Sequence, residues 1–421
     1  MLVEFRVRNF RSLRDEQVLS LVAAKDKSLA GTNTITTDVK AVPELLRSAV
    51  LYGANASGKS NLIRALQYMQ GVVRESARIG PEETFNVQPF RLDSAFEGEP
   101  TSFEVTFLID SVRYQYGFSL VPERVVEEHL LVYKASKPQR WFERSYDEST
   151  GEDSYYFGSG LKGPKSTWEE STRPNSLFLS MAAQLNSESL RPVFNWLVNT
   201  LVIFNEHNSL GPNFTISQLH DREKRQAICD FLGAADISID NIEVESRKVA
   251  GQAVHVNVDS GKAEVLPEER NEARLFFHHV TENGKAVFEF ADESAGTRNL
   301  LALAGPVLDI LHRGRVLVVD ELDTSLHPLV VRELVRMFHC PKANCGQAQL
   351  IFTTHDTSLL DAPQLLRRDQ VWLVDKDSSQ ATELVALWEY SPRKNEALER
   401  GYLTGRYGGV PFLRDGLSLR H

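Results

Sequence analysis

The feature that most constrains the fold of this chain is a glycine-rich octapeptide near its start. Residues 53–60 read Gly-Ala-Asn-Ala-Ser-Gly-Lys-Ser, which is the spacing G-x-x-x-x-G-K-[ST] of a phosphate-binding loop. An apolar run at 48–52 precedes the loop, and Leu62, Leu66 and Met69 follow it at helical spacing. A strand, a glycine loop and a helix N-terminus in this order surround an anion with backbone N–H groups. The sequence therefore predicts a site for a nucleoside triphosphate with Mg²⁺.

The residue types inside the loop predict a division of labour. Gly53 and Gly58 let the backbone turn close to the phosphates, Lys59 carries its charge to the β and γ oxygens, and the Ser60 hydroxyl is a ligand for Mg²⁺. A glycine-rich turn that matches by chance is disfavoured by the flanking strand and helix patterns. The other residues predicted to contact the nucleotide here are Asn55, Ala56, Ser57 and Asn61.

Length and composition bound the class of protein. A chain of 421 residues has room for about two or three domains, or for one large α/β domain with an insertion. No apolar stretch approaches the roughly eighteen residues that cross a bilayer, and the N-terminus lacks the apolar core of a signal peptide, so we expect a cytoplasmic protein without a membrane span. The net charge of −10 disfavours a uniformly basic nucleic-acid surface but does not decide the partner.

The cysteines predict neither a disulfide framework nor a metal centre. Cys229, Cys340 and Cys345 are too few and odd in number for a framework, which agrees with a reducing compartment. A zinc site that used His339 with Cys340 and Cys345 would need a further ligand at close spacing. We therefore interpret these residues as structural.

Alternating apolar and polar residues predict a β-rich first part of the chain. The strand-like runs lie at 2–7, 17–22, 103–109, 114–118 and 128–133. The pattern from 135 to 291 is irregular, with helix-compatible runs at 177–185 and 190–201, and it predicts an insertion.

An apolar strand in the second half ends in two acidic residues. The run 316–319 precedes Asp320 and Glu321, as in a central parallel strand that delivers carboxylates to the edge of the sheet where a nucleotide sits. Asp320 is then placed to hold Mg²⁺, and Glu321 to orient and deprotonate the attacking water. An ordinary turn at the end of the strand is the alternative, which the phosphate-binding loop makes less favoured.

Two further segments add polar groups to this arrangement. A second apolar strand at 350–354 ends at His355, which is placed to donate a hydrogen bond to the γ-phosphate. Ser294 and Gly296 open a helix with an apolar stripe, and a helix start of this kind is an anion site. On its own that start is equally an ordinary N-cap, formed by Ser294 or Thr297.

Taken in order, these segments resemble the ABC-type ATPase head shared by the SMC, RecF and OLD-like proteins. The octapeptide is similar to Walker A, the run 316–321 to Walker B, and the segment around Asp323 to the D-loop. The resemblance implies that His355 is the switch histidine and that Ser294 and Gly296 belong to a degenerate signature motif.

Two weaker correspondences complete the resemblance. Arg11, in the opening Asn-Phe-Arg-Ser at 9–12, falls where such heads hold the adenine side of ATP. Gln88 is the candidate for the Q-loop glutamine, a ligand of Mg²⁺. Asp375 and Asp377 form a D-x-D pair that we interpret as an edge turn of the sheet.

The resemblance implies an α/β fold: an ABC-type P-loop NTPase head with a mixed central sheet, an antiparallel β subdomain and a mainly helical insertion. The predicted parts are an N-terminal half of the head, an insertion, a C-terminal half of the head and a tail, at 1–134, 135–291, 292–392 and 393–421.

Within that group the chain is most similar to the compact AAA15/AAA21 ATPases of the RloA/AbiLi kind, which are associated with bacterial abortive infection and phage defence; the tail at 395–411 shares in this similarity. Two heads of this type sandwich two nucleotides, so we expect a head-to-head dimer or a higher homo-oligomer. Because the stretch after His355 is too short for the nuclease module of OLD-type relatives, we expect a separate effector such as a nuclease or toxin. A RecF-like clamp that binds DNA directly is the alternative, and a metabolic P-loop kinase is disfavoured by the signature-like segment.

Overall fold

The computed structural model of the protein describes residues 1–204, 211–256, 263–324, 326–392 and 396–410. For 248–256 and 263–272 it describes the backbone alone.

The chain divides into two compact units. The first comprises Met1–His207, Ile310–Thr324 and Leu334–His421, and the second comprises Asn208–Asp309 and Ser325–Glu333. The insertion predicted at 135–291 is thus shared between the two units.

The strands of the described residues are, in chain order, β1 (Leu2–Arg8), β2 (Gln17–Ser20), β3 (Thr34–Thr36), β4 (Glu44–Leu46), β5 (Ser48–Gly53), β6 (Thr101–Ile109), β7 (Val112–Val121), β8 (Arg124–Tyr133), β9 (Gln139–Asp147), β10 (Glu152–Phe157), β11 (Leu201–Phe204), β12 (Asn241–Val256), β13 (Ala263–Thr281), β14 (Gly284–Glu289), β15 (Val316–Val319), β16 (Gln349–Thr353), β17 (Val371–Lys376) and β18 (Thr382–Ala386). The α-helices are α1 (Lys59–Glu75), α2 (Lys165–Ser171), α3 (Phe178–Gln184), α4 (Arg191–Asn195), α5 (Asn213–Gln218), α6 (Arg222–Ala234), α7 (Ala295–Arg313), α8 (Pro328–His339) and α9 (Leu398–Leu403).

A six-stranded sheet in the first unit carries the phosphate-binding loop. Its strand order is β11-β15-β16-β5-β17-β18, and every pair is parallel except the last. Strands β5, β15 and β16 are buried along their whole length, as apolar strands with both faces covered must be. Parallel strands end at one edge of a sheet, so the residues that follow β5, β15, β16 and β17 all lie along that edge.

A seven-stranded antiparallel sheet forms the second layer of this unit, in the order β10-β9-β8-β7-β6-β1-β2. It contains all the strands predicted in the first part of the chain. Helix α1 buries Leu62, Leu66 and Met69 in the common core, where Phe107 of β6 stacks on Trp196 at a centroid distance of 4.0 Å. The apolar residues that the helical spacing predicted on α1 therefore form the face that packs on the sheets.

The second unit contains the antiparallel sheet β12-β13-β14 together with α5, α6 and most of α7. Pro306 lies inside α7 and has no N–H, so the carbonyl of Ala302 lacks its donor from the following turn. The Thr215 hydroxyl of α5 donates to that carbonyl at 3.3 Å and accepts from Gly305 N at 3.1 Å. The Thr215 side chain thus donates the hydrogen bond to Ala302 that Pro306 cannot donate.

The α/β class with a mixed central sheet and an antiparallel β subdomain is confirmed. The insertion is mixed: besides its helices it holds β9 to β14, and sequence periodicity did not predict the long strands β12 and β13. None of the helices in the described parts of the chain is long and apolar enough to span a bilayer.

Candidate functional site

One cavity of about 710 Å³ lies at the carboxyl edge of the six-stranded sheet. It brings together Lys59 from the loop, Glu321 after β15 and His355 after β16, three residues predicted from separate segments of the sequence. The residues that line it are Ser12, Asn55, Ala56, Ser57, Gly58, Lys59, Ser60, Asn61, Arg64, Glu321, His355 and Lys376.

The two loop glycines stand where a side chain has no room. A Cβ on Gly53 would lie 2.3 Å from the carbonyl oxygen of Val374, and one on Gly58 would lie 2.0 Å from Thr382 Oγ1. Gly58 also has φ +115°, a conformation that L side chains rarely adopt. Gly53 is therefore required by the close approach of β17, and Gly58 by the close approach of β18 and by its own positive φ.

The ammonium of Lys59 lies inside the loop. Its Nζ donates to the carbonyl oxygens of Gly53 at 2.7 Å and Ala54 at 3.1 Å. Burial lowers the pKa of Lys59, and the negative charges of Asp320 and Glu321 act in the opposite direction. The cation is thus held beside the carboxylates that end β15.

A single hydroxyl orients both acidic residues after β15. Thr353 Oγ1 donates to Asp320 Oδ1 at 2.7 Å and accepts the backbone N–H of Glu321 at 2.6 Å. Glu321 has φ +56°, the left-handed conformation that is uncommon for a residue with a side chain. Such backbone strain clusters at functional sites, and here it accompanies a Glu321 that lines the cavity while Asp320 is buried.

His355 and Asp323 are linked at the same edge. The backbone N–H of His355 donates to Asp323 Oδ2 at 3.2 Å, while Asp323 Oδ1 is buried without a hydrogen-bond partner in the described part of the chain. Ser57 Oγ, inside the loop, is likewise buried and unpaired there. Unsatisfied buried polar atoms carry a free-energy cost that a ligand can relieve.

The structure adds residues that the sequence analysis missed. Arg64 lies one helical turn beyond Ser60 on α1, Lys376 ends β17, and both line the cavity together with Ser12. Thr382 Oγ1 donates to the Ser57 carbonyl at 2.8 Å and so supports the loop from β18. Sequence signals were available for Arg64, by its spacing from Ser60, and for Ser12, which lies in the opening segment 9–12. Lys376 and Thr382 reach the site through the strand order, which the sequence does not show.

Arg11 lies in a second cavity of about 670 Å³ along α1. Arg64 lines both cavities, and Phe10 and Tyr68 give the second one aromatic walls. The Arg11 N–H donates to the backbone oxygen of Gln88 at 2.7 Å. Gln88 itself is not among the described residues that line either cavity, so its role as a ligand of Mg²⁺ stays a prediction.

Ser294 and Gly296 belong to the second unit. Ser294 Oγ accepts the N–H of Thr297 at 3.1 Å and lies 2.9 Å from the Thr297 hydroxyl, which is the geometry of an N-cap for α7. In the part of the chain that the structure describes, a Cβ on Gly296 would meet only Ser294 Oγ, at 3.7 Å. Their predicted role toward a nucleotide stays a prediction.

Of the D-x-D pair, Asp377 lies in the predicted turn, between β17 and β18, whereas Asp375 lies in β17 itself. Asp377 Oδ1 accepts the N–H groups of Ser379 and Ala381, and Asp377 Oδ2 pairs with Arg14 at 3.0 Å. Within the described ranges, no group of three or more His, Cys, Asp or Glu side chains is placed to hold a metal ion.

The lining of the first cavity fits a triphosphate with Mg²⁺. The loop residues 55–60 line the cavity, and three cations, Lys59, Arg64 and Lys376, lie around it. Asp320 and the Ser60 hydroxyl are hard oxygen donors of the kind that Mg²⁺ takes when phosphate and water complete its shell.

Comparison with known proteins places the chain in a family. No curated protein matches the chain in sequence. A solved structure, the Smc head domain with an extended coiled coil bound to the C-terminal domain of ScpA, from Pyrococcus furiosus, is 12% identical over 93% of this chain and 97% of that one, with a TM-score of 0.42. Residues 48–361, well over half of the chain, match the family described as "AAA domain, putative AbiEii toxin, Type IV TA system". The chain belongs to this family of AAA domains.

Proposed function

We propose that the chain binds ATP with Mg²⁺ in the first cavity and hydrolyses it. The observation that carries the proposal is the convergence of Lys59, Glu321 and His355 on one cavity from three distant segments. Membership in an AAA family supports nucleotide binding in general, and the side chains in the cavity support hydrolysis in particular.

The two cavities suggest how ATP lies. The phosphates occupy the loop between Lys59 and Lys376, and the nucleoside extends past Arg64 toward the second cavity. There Phe10 and Tyr68 offer aromatic faces for a base, and Arg11 agrees with the predicted adenine side.

The residues around the phosphates have separate tasks in this proposal. Ser60 and Asp320 would hold Mg²⁺, which would supply positive charge to the phosphate oxygens. Glu321 accepts a proton from the attacking water, and His355 donates a hydrogen bond to the γ-phosphate. Asp323 fixes the backbone at His355 through its 3.2 Å hydrogen bond.

We propose further that the active form is a homo-oligomer. In the arrangement implied by the ABC-type resemblance, Ser294 and Gly296 of one chain face the loop of another and complete its site. ATP then bridges subunits, and its hydrolysis releases them.

The biological role that we propose is a nucleotide-gated sensor or scaffold in bacterial antiphage defence that controls a separate effector such as a nuclease. The family description names a toxin and a TA system, which supports a role in such a two-component arrangement. Because the subunit contacts depend on the γ-phosphate, an effector bound to the oligomer is held or released as ATP is hydrolysed.

Equilibrium titration with a fluorescent ATP analogue and Mg²⁺ tests the binding proposal. We expect Lys59→Ala to weaken binding by about a hundredfold, because a charge-assisted contact to phosphate is lost. Lys137→Ala, at an exposed lysine in the loop before β9, is the matched control and should bind like the unmodified chain. An unmodified chain that binds no nucleotide would refute the proposal.

Phosphate release tests hydrolysis separately from binding. Glu321→Gln should keep ATP affinity while turnover falls at least about a hundredfold, because the general base is removed. Normal turnover in this variant would remove Glu321 from its assigned role.

Purification of the chain with the products of neighbouring genes tests the defence role. We expect an effector to co-purify, and its retention to differ with and without a non-hydrolysable nucleotide. Salt-sensitive DNA binding by the chain alone, strengthened by ATP, would instead support a RecF-like clamp.

A further inference from the structure

Residues 396–410, which we name the C-terminal strap, contact the phosphate-binding loop at its first residue, Gly53. Gly409 has φ +72°, and a Cβ built on it would lie 3.6 Å from both Gly53 Cα and the Val374 oxygen. Its N–H donates to Asp375 Oδ2 at 2.8 Å. The strap thus packs its backbone directly on the first glycine of the loop.

The same strap also holds the segment that follows His355. Glu399 Oε1 of α9 accepts the hydroxyl of Thr357 at 2.6 Å, and the N–H of Leu398 donates to Asp361 Oδ1 at 2.7 Å. Thr357 is two residues from His355, which lines the nucleotide cavity. One end of the strap therefore contacts the loop and the other end contacts the histidine segment.

Two packed tyrosines, one in the strap and one in β5, connect the strap's contact at the loop with its contact at the histidine segment. The ring of Tyr402, in α9, lies against that of Tyr52, in β5, at a centroid distance of 5.6 Å. Tyr402 OH donates to the Gly409 oxygen at 2.9 Å, and Tyr52 OH donates to the Asp356 oxygen at 2.8 Å. Tyr402 is 6% exposed, so this connection is part of the packed interior.

We propose that the C-terminal strap is a positioning element whose docking is coupled to nucleotide binding. The proposal rests on the proposed function, because it assumes that ATP contacts the loop and His355. Both elements that the strap joins line the nucleotide cavity, so a ligand that fixes their separation also favours the docked strap. By linkage, a docked strap favours the ligand to the same extent.

The reciprocal effect can be measured from the nucleotide side. Hydrogen exchange of peptides that span the strap should slow by about tenfold when the full-length chain is saturated with a non-hydrolysable ATP analogue and Mg²⁺. Thr357→Val, which removes the hydroxyl that donates to Glu399, should reduce this protection while the strand β16 exchanges as before.

A variant of the strap tests the effect from the other side. Gly409→Val places a branched side chain at positive φ against Gly53, and we expect it to weaken ATP binding by about tenfold. Gly151→Val is the matched control, because Gly151, in the turn between β9 and β10, has φ +74° but no described residue within 4 Å of its Cβ position. It should bind ATP like the unmodified chain.

The outcomes separate the two proposals. A chain that binds no nucleotide contradicts the proposed function. A chain that binds nucleotide but shows the same strap exchange with and without it overturns the strap proposal alone, and so does Gly409→Val binding as tightly as Gly151→Val. If Gly409→Val fails to fold, the exchange measurement on the unmodified chain decides.

Discussion

At the scale of residues, Thr353 shows how one buried hydroxyl organises two carboxylates with different tasks. It is fully buried and contacts Asp320 through the side chain and Glu321 through the backbone. A strand-end threonine is common, so only its contacts reveal the role. The strained backbone at Glu321 is stabilised in part by this hydrogen bond.

Replacing Thr353 by valine keeps the shape and removes both hydrogen bonds. We expect Thr353→Val to reduce ATP turnover by about tenfold or more with nearly unchanged ATP affinity, because Glu321 loses its orientation rather than its carboxylate. Steady-state phosphate release and equilibrium binding measure the two effects. Ser180→Ala, which removes another buried hydroxyl, one that donates to Val73 O, is the control. Equal losses in the two variants would point to general destabilisation.

His339 shows a buried residue whose ionisation opposes folding. Its Nε2 lies 2.9 Å from Ser48 Oγ and 3.2 Å from Gln370 Nε2. Because the amide nitrogen of Gln370 only donates, this ring nitrogen accepts and is unprotonated. Burial, and then the charge of Arg47, lower the pKa of His339 to about 3.

This pKa predicts an acid-sensitive contribution to stability. Between the ordinary pKa of about 6.5 and the folded value, the unfolded chain binds a proton that the folded chain excludes. The contribution of the neutral His339 to the free energy of unfolding is therefore fully present above about pH 6.5. Below that pH it falls by up to about 1.4 kcal/mol per pH unit. When urea unfolding is measured at several pH values, the free energy of unfolding should fall less toward low pH in His339→Gln than in the unmodified chain. Parallel curves for the two proteins would contradict the assignment.

At the scale of elements, α7 depends on a side chain from another helix. The proline inside it frees the Ala302 carbonyl, and Thr215 of α5 replaces the missing donor. Helix propensity alone would end α7 before Pro306, yet the helix runs from Ala295 to Arg313.

We expect Thr215→Val to destabilise the second unit by about 1–3 kcal/mol, because buried backbone groups at Ala302 and Gly305 lose their partner. In a Pro306→Ala background the cost should be smaller, since the alanine N–H can again donate to Ala302. Hydrogen exchange of α7 in the four proteins of this cycle measures the effect. If Thr215→Val destabilises both backgrounds equally, its effect does not arise from the hydrogen bond that Thr215 donates in place of residue 306.

At the scale of the whole molecule, function depends on more than one chain in our proposal. Each unit carries part of the predicted composite site: the loop and carboxylates belong to the first, and the Ser294 segment to the second. Among the described residues, the only atom that a Cβ added to Gly296 would approach within 4 Å is Ser294 Oγ, so a side chain there has space beside the described part of the chain.

A bulky charge at Gly296 should therefore block association without unfolding the chain. We propose that the Glu321→Gln variant retains ATP and forms an ATP-dependent dimer, and we expect Gly296→Glu in this background to lose that dimer. Light scattering after size-exclusion chromatography measures the mass. Gly284→Glu is the control, at a glycine of the second unit whose Cβ position has no described residue within 4 Å. A dimer that persists in Gly296→Glu would exclude this helix start from the interface.

By itself the sequence determined the loop, its strand and helix, and the acidic and histidine residues that end β15 and β16. These features are local: glycine spacing sets the backbone of a loop, and a short apolar run followed by a carboxylate predicts a strand end wherever the strand lies. The same reasoning predicted the strands β1, β6 and β7 and the helix α1, whose periodicities are strong.

Which distant residues join them depends on how the strands and the C-terminal strap pack. Lys376 and Thr382 reach the loop because β17 pairs with β5 and β18 pairs with β17, and the C-terminal strap reaches Gly53 because it packs beside that same edge. Strand order follows from which buried faces fit together across the whole chain, and no local spacing encodes that choice. Eight consecutive residues therefore suffice to identify the phosphate-binding loop. The contacts that hold the loop in place depend on the fold.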